Sequence, residues 1–129
     1  MKQGKINVAF SKVCEMYRIK GLPFTLSRDL FVLKGKLQPY VEHYSEQEYN
    51  LLSDRNALNP DGSTRNDMPQ NEVIAINKEL NDMRQSEVEW KNKPLTIRLN
   101  AELTDKLGVT GELMEQLDGI ILFEMEVAE

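Results

Sequence analysis

Cysteine is nearly absent, with Cys14 standing alone in 129 residues. A single thiol forms no intramolecular disulfide and no cysteine-cluster metal site, which fits a reducing compartment or a particle assembled in one. Histidine is as scarce, with His43 alone, so a site built on two imidazoles is excluded. Long apolar runs are missing too. No stretch approaches the roughly 18 consecutive apolar residues of a membrane span, and no uninterrupted apolar run follows the N-terminal lysines as in a secretion signal. The seven glycines are scattered, so neither a phosphate-cradling loop nor a dinucleotide fingerprint can be drawn. These absences lead us to expect an intracellular protein with no membrane contact.

What is present is ordinary for a globular chain: 40% hydrophobic and 29% charged residues, a length suited to one domain spanning 1–129, and enough chain to bury one sizeable core. The charge is uneven. Residues 1–22 carry Lys2, Lys5, Lys12, Arg18 and Lys20 against Glu15, while the whole chain has a net charge of −5. A nucleic-acid binder needs a basic face to release counterions from phosphates, and only this N-terminal segment can contribute much to one. The balance therefore argues against direct nucleic-acid binding. A solvated basic helix face accounts for the pattern, as does docking of this helix against the acidic remainder, within one chain or between subunits.

Ile6, Ala9, Phe10, Val13 and Tyr17 recur at the spacing of one helix face, predicting a short helix over 5–19. Gly21 and Pro23 stop it. Then Leu26, Leu30, Leu33, Leu37, Tyr40, Tyr44, Gln47 and Leu51 follow each other at alternating steps of four and three. This heptad stripe predicts a long helix over 25–56. Pro39 removes an amide hydrogen and presses on the carbonyl of Gly35, so a kink near 35–39 is expected, with two shorter helices as the alternative. Residues 58–68 read as a loop in which Pro60 presets φ, Asp61 caps locally and Gly62 accepts a positive φ. Val73, Ile76, Leu80 and Met83 place a further helix at 70–86, able to fold back on the long one as an antiparallel hairpin.

Beyond Glu87 the period changes. Val88 and Trp90, then Leu95, Ile97 and Leu99, alternate with polar residues as half-buried strands do, and residues 120–127 end as a strand expected to pair with 95–99. Ala101 to Leu107 and Thr110 to Leu117 suit short helices within this β element at 87–127. The expected fold class is α+β, mostly α: a helical hairpin with a short N-terminal helix and a C-terminal two-stranded β element.

Little here carries chemistry. His43 adjoins Glu42 and precedes Glu46 and Gln47, and a histidine–carboxylate pair can act as a general base. Neighbouring helical residues point about 100° apart, however, and a surface histidine explains the same sequence. Glu112, Glu115, Asp118, Glu124 and Glu126 match no calcium-loop spacing, and a solvated acidic face accounts for them. Serines lack the glycines of a nucleophile elbow, and Cys14 has no expected histidine partner. We therefore expect no catalytic residues, no cofactor, no metal and no enzyme activity. Aromatic and apolar residues that would anchor an interface if exposed are Phe31, Val41, Tyr44, Tyr49 and Trp90, with core packing as the competing reading.

The order of these elements resembles a group of small uncharacterised bacteriophage and prophage proteins encoded near structural genes for heads and tails. The resemblance runs over residues 20–122. It is carried by Gly21-Leu22-Pro23-Phe24-Thr25-Leu26-Ser27, the long helix through Leu51-Leu52, the loop Asn59-Pro60-Asp61-Gly62, Glu87-Val88-Glu89-Trp90 and residues 113–122. The Gly35 and Pro39 pair lies outside that pattern. The resemblance implies phage origin, a place in the host cytoplasm or virion, and an accessory role in virion structure or assembly through protein contacts, with a homo-oligomer among the expected partners. The alternative is a phage-encoded inhibitor of a host defence system or enzyme, whose acidic surface blocks a basic binding site.

Overall fold

In the computed structural model, which describes residues 1–126, the packing begins with the first helix. Ile6, Ala9, Val13 and Met16 form the buried face of α1 (Gln3–Tyr17). No side chain caps this helix. The Gln3 amide instead donates to the Ser86 carbonyl at 3.0 Å, and the Val88 amide donates to Met1 at 2.7 Å. A helix start leaves unpaired donors that must find acceptors, and here a distant extended segment takes part of that role.

The long helix α2 (Phe24–Asp54) runs unbroken through Pro39, so the alternative of two shorter helices is set aside. Gly35 and Pro39 both face solvent, where water can satisfy the carbonyl that the proline leaves without a donor. Leu30, Leu33, Leu37 and Tyr44 are buried along the heptad stripe, Leu26, Tyr40 and Leu51 are half-buried, and Gln47 is exposed.

Two neighbours share that stripe. α1 lies antiparallel along its first half: Gln3 donates to the Tyr40 carbonyl at 3.2 Å, while Tyr17 meets Phe31 at a centroid distance of 6.0 Å. The second half is covered by α3 (Gln70–Gln85). Arg84 donates to the Tyr44 hydroxyl, and Arg55 pairs with Glu72 and Glu79, so α2 and α3 are also antiparallel. The most extensive contact of α2 is nevertheless with α1. Ala57, Ile76 and Leu80 form a small separate core with Leu51, Leu52, Met68 and Met83.

Between α2 and α3 the loop turns as its residues dictate. The Gly62 amide donates to Asn59 at 2.9 Å, closing a β-turn with Pro60 in the position that favours its fixed φ. Asp61 accepts from the Ser63 amide and hydroxyl, and Gly62 takes a φ of +88°.

The segment from Glu87 to Trp90 corrects the expectation of a strand there. Val88 and Trp90 are half-buried around an exposed Glu89, as alternation requires, yet among the described residues the segment's only strand-type pairing is an isolated bridge from Glu87 to Lys2. Its neighbour becomes helical at Gln3, which leaves no extended chain for a ladder.

The C-terminal strands are β1 (Leu95–Leu99) and β2 (Ile121–Met125), with Ile97 opposite Phe123. The strand expected over 120–127 runs from Ile121 to Met125 and does not include Glu126; residue 127 lies outside the described residues. The pair is parallel, and a parallel pair needs a crossover. That crossover holds α4 (Ala101–Leu107) and α5 (Gly111–Gln116), whose first turns are capped by the Asn100 and Thr110 side chains at 2.8 and 3.1 Å. Ile97, Leu99, Leu107, Leu113, Leu117, Ile120 and Ile121 join the buried residues of α1 and α2 and complete the main core. The fold is thus α+β and mostly helical. Among the described residues no helix is long and apolar enough to cross a membrane.

Candidate interaction surface

The five expected interface residues divide into two groups. Tyr44 is buried, Val41 and Trp90 are half-buried against the main core, and Trp90 meets Tyr40 edge-on with centroids 5.5 Å apart. The Trp90 indole nitrogen is buried without an acceptor among the described residues. These three side chains serve packing. Phe31 and Tyr49, in contrast, are 58% and 57% exposed.

Phe24 joins them, at 78% exposure. Phe24 and Phe31 are seven residues apart, two helical turns, and Tyr49 lies a further eighteen residues along, five turns, so all three rings fall on one side of α2. That side is opposite the buried stripe. From the sequence, Phe24 counts among the aromatic residues of the hairpin but not among the five interface candidates, although its seven-residue spacing from Phe31 was a usable signal. Lys34 sits 5.5 Å from the centroid of the Tyr17 ring beside Phe31, within cation–π range. At the other end, Tyr49 borders an open cavity of about 430 Å3 shared with Ser53, Asn56 and the turn at Asn59 and Pro60.

Charge is divided along the same helix. From Phe24 to Gln38, α2 carries Arg28, Lys34 and Lys36 against Asp29; from Pro39 to its end it carries Glu42, Glu46, Glu48 and Asp54 and no lysine or arginine. Across the whole chain, residues 1–36 hold eight basic and two acidic side chains, and the rest eight basic and nineteen acidic.

His43 is exposed on α2, at an open groove of about 620 Å3 lined also by Tyr44, Asp54, Asp82 and Ser86. Among the described residues, no three histidine, cysteine or carboxylate side chains are placed to hold a metal ion. Glu112, Glu115, Asp118, Glu124 and Glu126 are each exposed; Lys5 lies 4.0 Å from Asp118. Cys14 is half-buried on α1. Comparison of the chain with protein-family models, curated proteins and solved structures finds no match.

Proposed function

We propose that this is a phage accessory protein that acts through protein–protein contacts in virion structure or assembly. The observation that carries the reading is the row of exposed aromatic rings, Phe24, Phe31 and Tyr49, on the outer side of a helix whose inner side is already packed. Aromatic anchors of this kind dominate the energetics of interfaces once covered. The phage setting is supported by the resemblance of residues 20–122 to small phage proteins encoded near structural genes.

The test is co-purification of the full chain with head or tail complexes from phage-infected cells, compared with the Phe31→Asp, Tyr49→Asp double variant. The parent is expected in those complexes and the variant is expected to be lost from them at unchanged helicity. Equal recovery of both, or of neither, overturns the assembly reading. The acidic second half of α2 favours one rival, a host-directed inhibitor, which would instead appear in a one-to-one complex with a host protein.

A further inference from the structure

We propose that the outer face of α2 binds the same face of a second copy of this chain, antiparallel, about a two-fold axis between residues 35 and 38. This deepens the reading of the protein as one that works through protein contacts, and rests on it.

The buried stripe of α2 is matched by a second stripe on its opposite side. Phe24, Arg28, Phe31, Gly35, Gln38, Glu42, Ser45 and Tyr49 follow each other at the same alternating steps of four and three, and all eight are exposed. Apolar residues at sustained three–four spacing make the seam of a helix pair; here Phe24, Phe31 and Tyr49 supply the apolar positions, and Arg28, Gly35, Gln38, Glu42 and Ser45 lie between them. One such seam serves the fold; the other is touched, among the described residues, by Tyr17 beside Phe31 and bordered by the 59–62 turn beside Tyr49, and is otherwise open.

The charges on α2 run against the helix dipole. Acidic side chains favour a helix N-terminus and basic ones its C-terminus, yet the first turn of α2 has no acid, the last turn has no base, and the basic residues cluster early and the acidic ones late. The order costs the isolated helix stability. An antiparallel copy reverses the balance, because the basic half of each helix then lies over the acidic half of the other. An anionic surface, whether lipid or nucleic acid, would match Arg28, Lys34 and Lys36 and be repelled by Glu42 and Glu46. Only a partner with the reversed order of charge fits the whole face, and a second copy turned end for end has that order.

The seam also fixes a register. With Gly35 of one copy opposite Gln38 of the other, Arg28 faces Ser45 and lies within a turn of both Glu42 and Glu46, Phe31 faces Glu42, and Phe24 stacks towards Tyr49. Each pair occurs twice by symmetry, as an isologous contact requires. Gly35 stands next to the axis, and nothing lies within 4 Å of where its Cβ would be. A glycine inside a helix is unfavourable, but at a helix crossing it lets two backbones approach closely. Arg28 is 3.8 Å from Asp29 in the single chain, a loose exposed pair that yields readily to a stronger one.

Sedimentation equilibrium of the full chain tests the proposal. The parent is expected to dimerise, Arg28→Glu and Glu46→Lys are each expected to weaken the dimer about tenfold because each disturbs two symmetric contacts, and the double reversal is expected to recover to within about threefold of the parent. In a Cys14→Ser background, mixing Arg28→Cys with Ser45→Cys is expected to give disulfide-linked heterodimers in preference to like-with-like products. Circular dichroism of every variant confirms that α2 remains helical, since all substituted positions on it are exposed. A monomer at all concentrations, a dimer indifferent to both charge reversals, or cross-links only between identical positions overturns the proposal. A monomer that still enters phage complexes separates the two claims: the second-copy contact fails and the assembly reading stands.

Discussion

Tyr44 is the only aromatic residue of α2 whose side chain is buried, and its hydroxyl accepts from Arg84 Nε at 3.1 Å. Burial raises the pKa of its phenol above the ordinary tyrosine value, with the Arg84 hydrogen bond opposing the shift. The folded protein therefore holds this proton more tightly than the unfolded chain. That part of the stability is complete below about pH 10 and is lost as the pH rises through the folded value. Tyr44→Phe is expected to cost about 0.5–1.5 kcal/mol in denaturant unfolding at neutral pH, the worth of one such hydrogen bond. It should also unfold with a shallower alkaline decline than the parent; an identical decline would remove Tyr44 as its source. The burial of Tyr44 was legible from its place on the heptad stripe. That of Trp90 was not, since the chain that pairs beside it, at Lys2, is far away in sequence.

Elements show a sharper division between what the sequence discloses and what it withholds. The inner face of α2 could be read because a helix places every third or fourth side chain on one side whatever covers it. Which helix covers it could not, and the answer is split between α1 and α3. The parallel sense of β1 and β2 was also hidden: alternation is the same in either sense, and the choice follows from the path of α4 and α5. Leu37 lies fully buried at the heart of the α1–α2 contact. Leu37→Ala is expected to lower the unfolding free energy by about 2–5 kcal/mol, the range for a leucine cavity in a packed core. A loss under about 0.5 kcal/mol would mean that the helices collapse onto the gap or are not packed there.

On the scale of the molecule, α1 is the axle. One side of it lies on α2, its start meets the end of α3 where Gly4 would bring a Cβ to 3.3 Å from Arg84, and α5 packs on it from the C-terminal part of the chain, while Val8, Ser11 and Glu15 stay exposed. The outer face of α2 is the candidate site, and it was only partly legible. Phe31 and Tyr49 could be named, and Tyr44 could be set apart from them by its place on the heptad stripe, but exposure is a property of the finished packing, so Trp90 could not.

The existence of two cores of unequal size has a consequence in time. The large one joins α1, α2 and the C-terminal strands; the small one, around Ala57, Ile76 and Leu80, fastens the first two-thirds of α3 and the preceding loop. Cooperative units with few buried contacts open at lower free energy than the rest. Amide hydrogens of residues 70–80 are accordingly expected to exchange with deuterium ahead of those in α1 and in residues 30–44, through an opening that leaves the large core intact. Uniform exchange across all three helices would show instead that the two cores melt as one. If the units do separate, the outer end of α3 can swing free on each opening while the aromatic face of α2 keeps its shape.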